Sequence, residues 1–188
     1  AEEFEDKENG GYFMNSASGE KLIAREKPCY DSAIPSGNAV TVMNLMRMAV
    51  LTGDDGYRQR YQKAISYFLG SPDIHPVGQA EMLKALDFML DKPKEIILLI
   101  PEDKQQEGEH YLDAIRKRFV PNKVLVVLES EGQASPLIEV VPIIRSKKAI
   151  DGNVTAYICE KGNCHLPVTS LEEFERQIET IVPYPNAN

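Results

Sequence analysis

Between Ser36 and Thr52 the apolar residues stand at 39, 40, 42, 43, 45, 46 and 48–51, on nearly every side of a helix. A helix that is apolar all round is a buried one. Ser36 can cap its first turn, and Gly53 can end it in the left-handed conformation. The next stretch places Tyr57, Tyr61, Ala64, Ile65, Phe68 and Leu69 at spacings of three and four, with Arg58, Arg60, Gln62 and Lys63 between them. That pattern predicts an amphipathic helix, capped by Asp54 or Asp55 and ended by Gly70 and Pro72. A third helix is expected from Pro76 through Ala80, Leu83, Leu86 and Leu90, closed by Pro93. Before these helices, residues 12–15 and 21–25 flank a Gly-containing loop and predict a β-hairpin.

The pattern changes after Pro93. Residues 95–100 and 124–128 are continuous apolar runs of strand length, separated by an amphipathic stretch with Tyr111, Leu112, Ile115 and Phe119. Strand, helix, strand in that order predicts a parallel pair. Residues 137–141 suit either a short helix or an extra strand. Residues 154–159 predict a third core strand. Ser170-Leu-Glu-Glu173 reads as a capping box opening a last helix with Leu171, Phe174, Ile178 and Ile181 on one face. The tail from Pro183 to Asn188 is expected to fray.

The expected fold class is therefore mixed α+β, divided into residues 1–93 and 94–188. The first part holds a β-hairpin and antiparallel helices, and the second is a small three-stranded α/β unit with mostly parallel strands. Three helices offer few partners for a helix apolar on all sides. More chain or a second copy is expected to cover it, as a fragment of a larger helical array or a homodimer would.

Composition narrows the function. The chain has 188 residues and a formal charge of −8. An acidic balance argues against a nucleic-acid groove, which needs clustered Lys and Arg. No apolar run is long enough to span a membrane, and no basic-then-apolar leader is present. Three cysteines, Cys29, Cys159 and Cys164, are too few for a disulfide scaffold. Reduced thiols in a cytoplasmic protein are the default.

Candidate chemistry is sparse. The segment after Ile100 has no glycine-rich phosphate motif, and its acidic residues would repel phosphate. Cys159-x4-Cys164-His165 supplies two or three ligand-type residues where zinc needs four, so no metal and no cofactor is expected. As a redox pair, C-x4-C lacks the C-x-x-C geometry that lowers a thiol pKa at a helix start. His75, His110 and His165 stand in unrelated settings, and no serine has a nucleophile-elbow context.

The polar run Asp31-Ser-Ala-Ile-Pro-Ser-Gly-Asn38 precedes the apolar helix and places Asp31, Ser36 and Asn38 at its mouth, where a ligand could be met. The plain alternative is that they only start the helix. Sugar chemistry commonly uses two acids. Asp6, Glu26 and Asp31 are candidates, with Tyr12, Phe13 and Tyr30 as rings to stack on a sugar. Against that stands an acidic solvated surface.

The motifs Asn9-Gly-Gly-Tyr-Phe13, Arg25-Glu-Lys-Pro-Cys-Tyr-Asp31, Ala33-Ile-Pro-Ser-Gly-Asn38, Asn44-Leu-x-Arg47 and Leu51-Thr-Gly-Asp54 occur in that order. Further on come Lys94-Glu-Ile, Pro121-Asn-Lys-Val124 and Asp151-Gly-x-x-Thr-Ala-Tyr-Ile-Cys159-x4-Cys164-x-x-Pro167-x-Thr169. Over nearly its whole length the chain resembles the C-terminal part of the YyaL-like proteins, the spermatogenesis-associated thioredoxin-domain family. That family carries a thioredoxin-like domain and then a six-hairpin α/α toroid like those of glycosidases and sugar epimerases. The resemblance implies the closing helices of the toroid plus an appended α/β piece, and a carbohydrate-type cleft with Asp31, Ser36 and Asn38 at matching positions. Asn9 departs from the pattern, because an acid often precedes the Gly-Gly pair. Three functions are expected in turn. The first is a region supplying structure or one wall of that cleft, with no complete active site. The second is a sugar-acting enzyme using Asp31 and neighbouring acids such as Glu26. The third is a thiol redox protein using Cys159 and Cys164.

Overall fold

The computed structural model describes residues 2–20, 23–70, 75–129 and 137–179. The chain divides into two compact units, Ala1–Leu90 and Asp91–Asn188.

The first unit is built on three helices. Helix α1, Gly37–Thr52, is capped by Ser36, whose side chain accepts from the Ala39 N–H, and ends at Gly53 with φ 69°. Helix α2, Asp55–Leu69, is capped by Asp54. A 3-10 turn, Pro76–Gln79, leads into α3, Ala80–Leu90. The 3-10 turn tightens the start because proline at its first position has no N–H to offer.

Helix α1 packs against both α2 and α3. Val42, Leu45 and Met46 are only 0, 7 and 2% exposed. This chain's own atoms cover them, so their burial does not require the second copy or further chain that the apolar count led us to expect. The reason is directional. Val40, Asn44 and Arg47 recur along one side of α1 and are exposed, so the helix keeps a solvent stripe that apolar counting missed.

The expected β-hairpin is also absent from the described residues. Lys21 and Leu22 lie outside them, and residues 12–20 and 23–25 form no strand. The chain instead pairs backwards. Glu5 and Tyr12 form an isolated bridge, Phe13 N–H donates to Phe4 carbonyl, and Met14 N–H donates to Glu26 carbonyl.

The second unit is a four-stranded mixed sheet in the order β2-β1-β3-β4. Its strands are β1 (Lys94–Leu99), β2 (Lys123–Leu128), β3 (Thr155–Glu160) and β4 (Asn163–Cys164). Helix α4, Gln105–Lys117, joins β1 to β2, and α5, Leu171–Glu179, follows β4. Only β1 and β2 are parallel; β3 runs antiparallel to β1, and β4 to β3. The sheet therefore has one strand more than expected and is not mostly parallel. The fourth strand is two residues long, below what periodicity can detect.

Alternation along β1 builds two cores. Ile96, Leu98 and Ile100 pack with Tyr111, Ala114 and Ile115 of α4 and Phe174 and Ile178 of α5. Ile97 and Leu99 pack on the other face with Leu128, Ile144 and Cys159. All six β1 residues are buried, which explains the unbroken apolar run. Leu137 begins a short turn, whose carbonyl accepts from both Val140 and Val141 N–H, and a 3-10 turn, Pro142–Ile144, follows. At α5, Glu173 turns forward to Arg176 and Gln177. Ile181 and the tail lie outside the described residues.

Candidate functional site

The polar residues before α1 are held by the backbone. Asp31 accepts the Ser36 N–H on Oδ1 and the Glu81 N–H on Oδ2, both at 2.8 Å. Its own N–H donates to Gly78 carbonyl at 2.7 Å. One carboxylate thus ties the entry of α1 to the first turn of α3, where negative charge is also favoured by the helix dipole. Asn38 accepts the Tyr12 N–H at 2.7 Å and donates to Tyr12 carbonyl at 2.9 Å and Pro28 carbonyl at 2.8 Å. Ser36 spends its hydroxyl on the Ala39 N–H at 3.1 Å. The three residues are brought together as joints between chain segments.

The other sugar-site candidates scatter. Asp6 accepts the Glu8 and Asn9 N–H groups and pairs with Lys27 Nζ at 2.7 Å. The Asn9 backbone donor, and next the Lys27 ammonium, hold its carboxyl well below the usual carboxylate range. Lys27 also donates to Gly10 carbonyl at 2.8 Å and sits 3.4 Å from the centre of the Tyr67 ring. The Phe13 ring is covered by the Arg25 guanidinium at 4.0 Å. Glu26 is exposed and offers its carbonyl to Met14. Tyr30 is 51% exposed, with its ring against Gly78 and 6.3 Å from His75. Cys29 is a free buried thiol, pushed up to about 11 by burial and then by the Asp31 charge.

The second unit gathers a different constellation. Cys159 and Cys164 are joined as a disulfide, so the default of reduced thiols does not describe this structure. They face each other across the β3–β4 hairpin. Lys161 and Gly162 turn the chain with φ 51° and 77°, as a two-residue type I′ loop requires. Glu160 and Asn163 flank that turn, so the cysteines occupy the next, closer-spaced pair, with Cα atoms 3.9 Å apart.

Three side chains surround the bond on one sheet face. Lys147 Nζ lies 3.3 Å from Cys164 Sγ and 4.8 Å from the centre of the Tyr157 ring. Tyr157 in turn exchanges hydrogen bonds with the Lys148 backbone, fixing the segment that carries Lys147. Glu95 stands opposite Cys159 in the ladder. Burial raises its carboxyl pKa, against the Gly162 N–H and then the Lys147 charge. Sequence reasoning singled out both cysteines but missed Lys147 and Glu95, which are 52 residues apart in sequence and carry no local signal.

Among the described residues no three His, Cys, Asp or Glu side chains group as metal ligands, and no helix is long and apolar enough to cross a membrane. The helix after β1 starts at Pro101-Glu-Asp-Lys-Gln105 without a cysteine. A thiol activated at that helix start is excluded.

No family model matches the chain, and no solved structure matches it. It is similar to spermatogenesis-associated protein 20 of Homo sapiens, 29% identical over 175 residues, which are 92% of this chain and 22% of that protein. The same protein of Rattus norvegicus and of Mus musculus is 29% identical over 174 residues, with the same coverage. These matches show the resemblance that the motifs carry: over 92% of its length the chain is a homologue of spermatogenesis-associated protein 20, and it spans 22% of that relative's length.

Proposed function

We propose that this chain is a structural region of a larger protein, with no complete active site of its own in the first unit. The observation that carries this reading is the use of Asp31. Both of its carboxylate oxygens accept backbone N–H groups, one at the entry of α1 and one in the first turn of α3. A general acid or nucleophile needs at least one oxygen directed at substrate. Asn38 supports the reading, because both of its N–H donors and its carbonyl oxygen are engaged with backbone, and the residue is buried.

Within the proposal, α1–α3 would stand among the helices of a six-hairpin toroid in the longer relatives. The half-exposed ring of Tyr30 is the surface this chain would offer as one wall of a carbohydrate-type cleft, since sugar rings stack on exposed aromatics. A cytoplasmic setting belongs to the same proposal.

The test is a panel of mono- and disaccharides observed by ligand-detected NMR, together with thermal unfolding of Asp31→Asn and Asp31→Ala. A structural Asp31 lowers the melting temperature and leaves every sugar spectrum unchanged. A sugar whose binding disappears in Asp31→Asn, at unchanged melting temperature, would overturn the proposal in favour of a sugar-acting site. Binding lost in Tyr30→Ala alone would support the cleft wall.

A further inference from the structure

Beyond that structural reading, we infer that Cys159–Cys164 is an exchangeable disulfide, with Cys164 as the sulfur that trades partners and Lys147 as the group that steadies its thiolate. The substrate class is an accessible disulfide, or in the reverse direction a thiol.

Four observations converge. First, the two sulfurs are unequal. Cys159 is fully buried, whereas Cys164 is exposed on β4, the last strand at one edge of the sheet. An incoming group meets Cys164 only. Second, Lys147 Nζ is 3.3 Å from Cys164 Sγ. An ammonium at that distance lowers a thiol pKa and raises the thiolate fraction at neutral pH. Third, Glu95 lies opposite Cys159. Both side chains are buried, and burial disfavours a second charge beside the Cys164 thiolate. Lys94 and Glu160 pair with each other at 3.0 Å on the other face and are spent on one another. Fourth, the bond is a poor staple. It closes a loop of sequence separation 5, and so short a loop removes little entropy from the unfolded chain. The hairpin register is already set by the type I′ turn at Lys161 and Gly162.

The exchange balances as follows. In the open form, the Cys164 thiolate attacks one sulfur of a disulfide R–S–S–R′. A Cys164–S–S–R bond forms, the R–S–S–R′ bond breaks, and R′S⁻ leaves with the electron pair. Cys159 then attacks the Cys164 sulfur, its proton passing to the departing RS⁻. The Cys159–Cys164 bond closes. Two electrons move from the protein dithiol to the substrate, and a thiol reductant returns them by the reverse path.

The experiment equilibrates the whole chain in glutathione–glutathione disulfide mixtures, traps thiols by alkylation, and maps them by mass spectrometry so that Cys29 is read separately. The Cys159–Cys164 bond should open and re-form reversibly while the circular dichroism stays native. In the open form Cys164 should alkylate about tenfold faster than Cys159 at neutral pH, with an apparent pKa below the free-cysteine value of about 8.5. Lys147→Gln should raise that pKa by about one unit, and Lys147→Arg should restore it. Cys159→Ser should retain glutathione as a mixed disulfide on Cys164. Reduction of insulin by the open form would assign protein disulfides as substrate; turnover of glutathione disulfide alone would assign small disulfides. A bond that resists millimolar glutathione, or opens only as the chain unfolds, would make it a plain staple and overturn the inference. Equal alkylation of the two cysteines, or a Cys164 pH profile that ignores Lys147→Gln, would overturn it equally. None of these outcomes bears on the structural role of Asp31.

Discussion

Oδ2 of Asp31 accepts the backbone N–H of Glu81, a residue 50 positions further along the chain, at 2.8 Å. The other oxygen holds Ser36 N–H at the same distance. Two helices are thereby started by one side chain. Asp31→Ala strips a partner from both donors and should cost about 2 kcal/mol, the scale of a lost helix cap plus a partly buried unpaired N–H. Asp31→Asn keeps one acceptor oxygen and should cost roughly half as much. Urea unfolding of the two variants checks the ordering.

Asn38 works by a different chemistry, because it both donates and accepts. Asn38→Asp keeps the acceptor for Tyr12 N–H but turns a second oxygen towards the carbonyls of Tyr12 and Pro28. It should therefore destabilise by about 3 kcal/mol, as much as Asn38→Leu. An Asn38→Asp variant as stable as the parent would mean that those two donor bonds contribute nothing.

The Lys27–Asp6 pair is 6 and 11% exposed at its side chains. Lys27→Met removes the cation but leaves the Asp6 carboxylate on its backbone donors, so about 2 kcal/mol is expected, less than for a fully buried pair. The pair also gives an acid limb. Asp6 has a folded pKa below its unfolded one, so its contribution is complete above the unfolded carboxylate range of about 3.9 and is lost as the pH falls through the folded value. Stability measured from neutral pH down to about pH 2 should fall less steeply in Lys27→Met than in the parent.

Two glycines separate backbone strain from crowding. Gly11 has φ 79°, and an added Cβ would lie 2.8 Å from the Phe68 ring. Gly162 has φ 77° and nothing within 4 Å. Gly162→Ala should therefore cost only the left-handed penalty of about 1 kcal/mol, and Gly11→Ala about 2–3 kcal/mol. Equal costs would show that Phe68 moves aside freely.

Much of the element order is legible in the residues. The ends of α1 follow from Ser36 and Gly53, and the apolar runs mark β1 and β2. These are local effects, written into neighbouring side chains and single glycines. The hairpin expected near the start was illegible for a related reason. Its residues have strand-like composition, but their backbone partners, Phe4 and Glu26, are supplied by the way the whole segment folds back.

The sequence by itself determined the order of the helices and of the three longer strands, which residues are apolar enough for the core, and which relatives the chain resembles. It marked Asp31, Ser36 and Asn38 as residues that belong together. Only the tertiary structure decided what they bond to, because a carboxylate or amide is free or engaged according to partners up to 50 positions away. The same holds for α1. Counting apolar residues cannot tell which side stays wet, and that was settled by the packing of α2 and α3 against it. It holds also for Cys164, whose surroundings depend on Lys147 arriving from a separate segment across the sheet.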